Sequence, residues 1–252
     1  MTAGWKLAWV TGASSGIGRE LAVRLADRSS HVAVSARSTA SLDALAAGSG
    51  SISSFPADVT DADLVEKTVD EIERAHGPID LAVLNAGFWE LVSAETFDTH
   101  LIRKTMDVNY MGVVHCLAAL LPRMIARRAG QIVIVSSVAG YRGLPGSAAY
   151  GPSKAALINL AESLRPELQA SNVHLQLVNP GFVETPMTAK NTFTMPMIMS
   201  VDNAAERLLQ GLARDKFEIT FPRRFTFLMK MIRLLPYPLF FWLVRRFVLH
   251  RP

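Results

Sequence analysis

The chain has 252 residues, of which half are hydrophobic and 19% are charged; this excludes a disordered protein and allows one large α/β domain or two smaller ones. Its sole cysteine, Cys116, excludes a disulfide framework and a zinc site built from thiolates alone. Its N-terminus lacks the pattern of a secretion signal, and from both features we expect a cytoplasmic protein. The net charge is +4, and its excess of bases lies at the end of the chain, because residues 221–252 carry seven Lys/Arg and no Asp/Glu. The sequence contains no helix-turn-helix, zinc-finger or RNP pattern, so nucleic acid is not expected as a partner.

Short apolar, β-branched runs alternate along the chain with longer amphipathic stretches. The runs predict strands at 7–11, 31–36, 51–57, 79–85, 131–137, 173–179 and 217–221. Several are apolar at nearly every position, which is typical of strands covered on both faces. The regular alternation predicts an α/β fold with one doubly wound parallel sheet of about seven strands and helices on both faces. We expect a single domain over residues 1–220, followed by an amphipathic extension at 221–252.

The first predicted strand runs into the loop "TGASSGIG", which then opens a helix. Its three glycines, Gly12, Gly16 and Gly18, allow a tight turn and a close approach of the backbone to a ligand. The N–H groups at the start of the following helix are free to bind a pyrophosphate. The loop, including Ser14, Ser15 and Ile17, is therefore predicted to hold the phosphates of a dinucleotide; the alternative is a turn without a ligand.

The second predicted strand ends in "VSARS", where a dinucleotide-binding protein discriminates between NAD and NADP. Asp or Glu at this point binds the ribose hydroxyls of NAD, whereas arginine can hold the 2′-phosphate of NADP. This chain offers Arg37 and Ser38 and no carboxylate, so we expect NADP(H) to be favoured over NAD(H). The alternative is that Arg37 is simply a solvated side chain.

Two further loops follow strands at the same predicted edge of the sheet. Asp58 and Val59 follow the third strand, and an aspartate there suits a hydrogen bond to an adenine amino group. Asn85, Ala86 and Gly87 follow the fourth, and their small size lets the backbone approach the cofactor ribose. Each alone would be an ordinary loop residue; the order in which they occur gives them weight.

The stretch "AAYGPSKAAL" places Tyr150 and Lys154 four residues apart where a helix is predicted to begin. On a helix, that spacing puts both side chains on one face, about one turn apart. Pro152 does not disturb this prediction, since proline is tolerated in the first helical turn. An ammonium group near a phenol favours the phenolate, so we expect Lys154 to lower the pKa of Tyr150. The alternative is an exposed tyrosine beside a solvated lysine.

These motifs together resemble the short-chain dehydrogenase/reductase family, in that family's order and approximate spacing from residue 7 to about 200. The motifs are "TGASSGIG", "DV", "NAG", "MDVNYMG", "VSSVAG", "YGPSK" and "NPGFVET". The resemblance implies a Rossmann-type fold, nicotinamide chemistry without a metal, and a homo-oligomer, either dimer or tetramer. It maps the catalytic tetrad onto Asn109, Ser137, Tyr150 and Lys154. Ser137 is preferred to Ser136 because it lies thirteen residues before Tyr150, the spacing usual in the family.

The resemblance also implies a role for each member of the set. Tyr150 exchanges a proton with the substrate, Ser137 donates a hydrogen bond to the substrate oxygen, and Lys154 binds the nicotinamide ribose hydroxyls and relays protons with Asn109 and a water. The turn beside the nicotinamide is implied at Pro180, Gly181, Val183 and Thr185. Thr185 would bind the carboxamide; its alternative role is to cap the next helix.

Specificity in this family usually comes from the segment that follows this turn, here residues 181–200. Between Thr185 and Ser200 it contains four methionines, one phenylalanine, a single base and no acid. Flexible thioethers suit an apolar pocket, so we expect a hydrophobic, lipid-like substrate; the alternative is that the methionines pack against the core.

Residues 221–252 contain eight of the chain's twenty aromatic residues. The longest uncharged run, Leu234–Val244, has eleven residues, too few for the ~20 that span a bilayer. Basic residues beside Trp and Phe predict a segment that lies on an anionic membrane surface; docking on a partner subunit is the alternative. The function expected from all these features is NADP-dependent oxidation or reduction of a hydrophobic carbonyl compound. A non-catalytic dinucleotide sensor or a membrane-attached scaffold is the alternative.

Overall fold

A computed structural model describes residues 4–191 and 193–249. Thr192 of the predicted substrate segment and residues 250–252 of the predicted extension lie outside these ranges. The strands are β1 (Leu7–Thr11), β2 (His31–Ser35), β3 (Ile52–Ser54), β4 (Leu81–Leu84), β5 (Gln131–Val135), β6 (His174–Pro180) and β7 (Glu218–Phe221). The helices are α1 (Gly16–Ala26), α2 (Thr39–Ala46), α3 (Ala62–His76), α4 (Thr99–Met106), α5 (Gly112–Arg127), α6 (Tyr150–Ala170), α7 (Val201–Leu212), α8 (Arg223–Arg233) and α9 (Tyr237–Val244).

All seven strands form one parallel sheet in the order β3-β2-β1-β4-β5-β6-β7. This confirms the predicted doubly wound α/β fold. The chain proceeds outward in one direction from β1 to β3 and in the other from β4 to β7, so strand order reverses between β1 and β4. Ligands in such sheets bind at the carboxyl ends of the strands near that point.

The core lies on both faces of the sheet. One face packs against α1, α2 and α7 through residues such as Leu21, Leu42 and Leu208. The other face packs against α3, α5 and α6 through residues such as Leu120 and Leu157. Every residue of β1, β4 and β5 is buried, which explains why these strands are apolar at almost every position.

A continuous helix, Thr99–Arg127, combines α4, a wide π-helical turn at Asp107–Met111, and α5. Among the described residues it is long and apolar enough, by length and composition alone, to cross a membrane. Its apolar side chains pack against the sheet, as is usual for the core helix of an α/β protein.

The C-terminal extension begins as part of this domain. Strand β7 includes Phe221, so it runs past the boundary that the sequence predicts at residue 220. The buried side chains of Phe225 and Met229 in α8 join the same core as α5 and α6. The predicted boundary therefore does not coincide with a break in packing, because α8 covers apolar surface that the sheet would otherwise expose.

Candidate active site

A cleft with a volume of about 350 Å³ runs along the carboxyl ends of the strands. It brings together nearly every residue that the sequence predicts for cofactor binding or catalysis. The predicted residues that line it are Gly12, Ser14, Ser15, Gly16, Ile17, Arg37, Ser38, Asp58, Val59, Asn85, Ala86, Gly87, Ser137, Tyr150, Lys154, Pro180, Gly181, Val183 and Thr185. Gly18 and Asn109 are predicted members that lie behind its wall.

The glycine turn is shaped for close contact with a ligand. Gly12 and Gly16 have φ angles of +67° and +57°, a conformation that side chains disfavour. A Cβ on Gly12 would lie 2.7 Å from Cα of Ala86. Helix α1 begins at Gly16, and the side chain of its N-cap residue, Ser15, makes no capping hydrogen bond. The helix N-terminus therefore faces the cleft without a side-chain cap, as binding of a diphosphate requires.

A second set of contacts joins the glycine turn to the turn after β4. The Thr11 hydroxyl accepts hydrogen bonds from the backbone N–H groups of Asn85 and Ala86, at 3.0 and 3.2 Å. In return, Nδ2 of Asn85 donates to the carbonyl of Gly12 at 3.3 Å. A Cβ on Gly18 would lie 2.5 Å from the same Nδ2 atom. Thr11 and Asn85 thus hold the two turns together in the space that Gly18 leaves free, while the small residues Ala86 and Gly87 line the cleft.

The opposite end of the cleft carries the residues predicted to recognise adenosine. Arg37 is exposed and lines the cleft beside Ser38, whose hydroxyl also caps α2 by accepting from the N–H of Ser41 at 3.4 Å. The Asp58 carboxylate accepts hydrogen bonds from the N–H and the hydroxyl of Thr60 at 3.0 and 2.8 Å. The same carboxylate oxygen, Oδ1, accepts both bonds, and together they orient Asp58 at the cleft.

Ser137, Tyr150 and Lys154 meet near the middle of the cleft. Tyr150 is the first residue of α6 and is partly buried, while Lys154 lies one turn further and is 3% exposed. The Nζ atom of Lys154 is 5.6 Å from the centroid of the Tyr150 ring, so the two side chains share one face as predicted. Ser137 is the second residue after the end of β5, and its hydroxyl accepts a hydrogen bond from the N–H of Ala139 at 3.1 Å.

The expected effect of Lys154 on the pKa of Tyr150 is wrong for this chain by itself. Burial raises the pKa of Tyr150 to about 12, and the neighbouring Ser137 hydroxyl counters only part of this effect. Burial also lowers the pKa of Lys154 to about 8. The ammonium of Lys154 points to the carbonyl oxygen of Val135, at 2.9 Å, and its influence on the phenol is weaker than the loss of hydration.

Asn109 is fully buried in the π-helical turn between α4 and α5. Its Oδ1 accepts from the N–H of Phe88 at 2.7 Å, and its Nδ2 donates to the Phe88 carbonyl at 3.0 Å and to Oγ of Ser153 at 2.9 Å. The Ser153 hydroxyl donates to the carbonyl of Tyr150 at 2.8 Å. The side chain of Asn109 therefore fixes the turn after β4 against the start of α6.

Thr185 forms a turn with Thr188 but is not the N-cap of the next helix, because the short 3₁₀ helix Thr188–Lys190 has Met187 at that position. Its hydroxyl accepts from the N–H of Thr188 at 3.3 Å, and its own N–H donates to the Thr188 hydroxyl at 2.9 Å. Thr185 also lines the cleft, so this turn leaves it next to the predicted nicotinamide end.

The structure adds two residues for which the sequence predicts no role, and it shows what Ser136 contacts. Phe88 and Lys104 line the cleft, and Nζ of Lys104 lies 4.4 Å from the centroid of the Phe88 ring. The Ser136 hydroxyl donates to the carbonyl of Lys154 at 2.8 Å and so ties the end of β5 to α6. Their positions depend on how α4 and α6 pack, for which a single sequence gives no signal.

Comparisons with known proteins agree with this geometry. A family model described as short chain dehydrogenase matches residues 6–195. An uncharacterized oxidoreductase of Myxococcus xanthus is 38% identical over 246 residues, covering 96% of this chain and 97% of the relative. The 3-oxoacyl-acyl-carrier-protein reductase FabG of Thermotoga maritima is 35% identical over 196 residues, covering 73% and 77% of the two chains.

A solved structure of a short chain dehydrogenase from Burkholderia cenocepacia, in complex with NADP, has the same fold. Its TM-score is 0.85 at 25% identity, and the match covers 97% of this chain and 99% of the other. Solved structures of this fold hold NAD as well as NADP.

Proposed function

Because the chain belongs to the short-chain dehydrogenase/reductase family and is an NAD(P)-dependent oxidoreductase acting on CH–OH/C=O groups, we propose that it reduces the carbonyl of a hydrophobic substrate with NADPH. The observation that carries the proposal is the meeting of Ser137, Tyr150 and Lys154 in one cleft, which the glycine turn before α1 also lines.

The chemistry follows from the state of each side chain. When bound in the cleft, a nicotinamide cofactor would supply the hydride that the carbonyl carbon accepts. The Ser137 hydroxyl donates a hydrogen bond to the carbonyl oxygen and stabilises the negative charge that develops there. The pKa of Tyr150 lies well above 7, so the phenol carries a proton at neutral pH that can be transferred to the same oxygen.

Lys154 and Asn109 prepare the site for that transfer. Lys154 is held in the cleft by the Val135 carbonyl, where its ammonium can bind ribose hydroxyls of the cofactor. The raised pKa of Tyr150 and the lowered pKa of Lys154 describe the chain without its cofactor. Asn109 maintains the positions of Phe88 and of the first turn of α6, so that Tyr150 keeps its place when a substrate enters.

NADP is favoured by the charge at the adenosine end. Arg37 extends from the end of β2 into the cleft, and that strand ends without a carboxylate that would repel a 2′-phosphate. A guanidinium group binds phosphate oxygens in a bidentate manner, which discriminates between the two cofactors.

The proposed substrate is apolar because the segment beyond the nicotinamide end exposes apolar side chains. Phe193, Met197 and Ile198 are all exposed, and the ring of Phe193 packs at 6.0 Å from that of Phe182. The Thermotoga relative is a 3-oxoacyl reductase by name, which fits a keto group on an acyl chain. A long-chain keto-lipid or another extended apolar ketone or aldehyde fits this surface.

We also propose that residues 221–252 bring the enzyme to an anionic membrane surface. Among the described residues, eleven of the eighteen exposed large hydrophobic side chains lie between Phe227 and Leu249, which marks this segment as the main candidate for an interface. A second copy of the chain is less suited to bind this surface than a membrane is. Residues 221–252 contain no acid, so a symmetric contact between two copies would bring like charges together. A homo-oligomer, dimer or tetramer, is expected to form through another surface.

A substrate series tests the proposal. NADPH oxidation is followed with ketones and aldehydes that share one reactive group and differ in the length of an apolar chain, with and without lipid vesicles. We expect kcat/KM to rise with chain length, by about threefold or more per methylene that enters the pocket. Failure of every carbonyl to oxidise NADPH, or a preference for short charged substrates, would contradict it.

A further inference from the structure

The segment 138–149, named here the catalytic loop, connects Ser137 to Tyr150. Its first turn lies directly against α6: a Cβ on Gly140 would be 2.7 Å from the carbonyl carbon of Lys154. The N–H of Ala139 donates to the hydroxyl of Ser137. A shift of this first turn would therefore change the position of Ser137 relative to Lys154.

The next residue of the loop, Tyr141, is connected to α8. Its hydroxyl donates to the carboxylate of Glu218 on β7, which also forms an ion pair with Lys230 of α8. Nδ2 of Asn179 donates to the same carboxylate at 2.7 Å. Burial alone would raise the pKa of Glu218, but the hydrogen bonds from Lys230, Tyr141 and Asn179 outweigh it and lower that pKa. Glu218 is thus ionised at neutral pH and keeps α8 attached to the loop.

Arg142 makes the corresponding contact with α9. Its Nη1 atom donates to the carbonyl of Arg233, the last residue of α8, at 2.7 Å. Its guanidinium lies over the rings of Tyr237 and Phe240, at 4.7 and 4.4 Å from their centroids. Among the described residues its Nη2 atom has no hydrogen-bond partner and is buried. The aromatic faces therefore offset part of the hydration that this cation loses.

Helix α9 has few other contacts with the domain. Of its eight residues only Phe240 is buried, and that residue is one of the two on which Arg142 rests. The exposed side chains of α9 belong to the surface that we assign to the membrane. Arg142 thus connects the catalytic loop directly to α9, whereas Tyr141 reaches α8 through Glu218 and Lys230.

We propose that Arg142 is a positioning residue. When α9 packs against its guanidinium, the catalytic loop is held in the position that the active site needs, and this position sets the rate of the chemical step. The C-terminal segment then acts on turnover as well as on location. The inference rests on the proposed function, since it concerns the same active site.

Two substitutions in the full-length chain test it, one on each side of the contact. Arg142→Met removes the guanidinium, and Tyr237→Ala removes an aromatic face that is 68% exposed and therefore contributes little to folding. We expect Arg142→Met to lower kcat about tenfold or more and to leave the Kd for NADPH within twofold, because a small displacement near the reacting groups affects chemistry more than binding. Tyr237→Ala should lower kcat in the same direction and should add little to Arg142→Met.

Arg165→Met is the matched control. Arg165 makes the same two kinds of contact elsewhere, with its guanidinium 4.8 Å from the centroid of the Phe217 ring and its Nη1 2.9 Å from the carbonyl oxygen of Leu175. We expect it to change kcat by less than twofold. An unchanged kcat in Arg142→Met, or equal losses in both arginine variants, would overturn the inference. If Arg142→Met does not fold, an unchanged kcat in Tyr237→Ala would overturn it.

Amide hydrogen exchange separates this inference from the proposed function. We expect residues 138–149 to exchange about tenfold faster in Arg142→Met and Tyr237→Ala than in the wild type and in Arg165→Met. If the wild type reduces no carbonyl, the proposed function fails and the exchange rates alone decide the inference. Identical exchange of this segment in all four proteins would overturn it.

Discussion

The lysine of the active site is a buried cation, and folding has to desolvate it. Its single hydrogen bond to the Val135 carbonyl compensates only in part, and its pKa falls from about 10.5 to about 8. Between these two values the unfolded chain binds more protons at this residue than the folded chain does. The contribution of Lys154 to stability therefore rises as pH increases from 8 to 10.5.

The wild type and Lys154→Met are expected to respond differently to pH. The difference in their free energies of unfolding, wild type minus variant, should increase by up to about 3 kcal/mol between pH 7 and pH 10. Urea unfolding at several pH values measures it. Using the difference removes the contribution of Cys116, whose burial raises its pKa and acts in the opposite direction in both proteins. A difference that does not vary with pH would contradict the desolvation of Lys154.

Arg37 is expected to recognise the phosphate that distinguishes NADP from NAD. Arg37→Ala should weaken NADPH binding about 10- to 100-fold and leave NADH binding nearly unchanged, since only the former loses charge-assisted hydrogen bonds. Titration of intrinsic fluorescence with each cofactor measures this. Arg28→Ala, at an exposed site outside the cleft, should alter neither affinity. Equal weakening of both cofactors in Arg37→Ala would refute phosphate recognition.

The glycine turn is the element on which cofactor binding depends. In Gly12→Ala, the alanine would have to keep a positive φ angle, and its Cβ would collide with the backbone of Ala86. The turn would therefore have to move away from the position that the diphosphate needs. We expect at least a tenfold weaker affinity for NADPH, measured by the same titration. Gly50→Ala is the control, because nothing lies within 4 Å of its Cβ position. Unchanged binding in Gly12→Ala would show that the diphosphate lies elsewhere.

The positions of the strands and of the first two cofactor turns could be predicted from the sequence. Continuous apolar runs mark strands covered on both faces, and glycines directly after β1 mark the turn. The internal role of Asn109 could not be predicted from residue pattern, because it depends on a π-helical turn that brings its amide to Phe88 and Ser153. The pKa of Tyr150 could not be predicted from the sequence either, since burial of the side chain, and not its spacing from Lys154, decides the direction of the shift.

The C-terminal helices show the same limit at the level of whole elements. Composition identifies residues 221–252 as basic and aromatic, but the packing of α8 on the core depends on a few side chains, such as Phe225 and Met229, that face the sheet. The sequence pattern also gives no sign that Arg142 would rest on α9, because the two are almost a hundred residues apart.

For the molecule as a whole, the basic, aromatic end predicts binding to anionic lipid. The double variant Arg245→Gln/Arg246→Gln should bind vesicles containing phosphatidylserine about tenfold or more weakly than the wild type at low salt, since each cation near the surface contributes about 1 kcal/mol. Co-sedimentation with the vesicles measures it. Arg214→Gln/Lys216→Gln removes two exposed charges outside the segment and should bind like the wild type. Equal binding of all three proteins, or equal binding to neutral and anionic vesicles, would contradict the membrane proposal.

The central claim is that the phenol of Tyr150 gives its proton to a carbonyl oxygen beside a bound dinucleotide. The most direct measurement is the turnover of Tyr150→Phe with NADPH and an apolar ketone, together with the Kd for NADPH. Loss of the proton donor should lower kcat about 10²- to 10⁴-fold and leave the Kd within about threefold, since the ring itself is kept. Turnover equal to that of the wild type would contradict the claim, as would a loss of NADPH binding that accounts for the whole loss of activity.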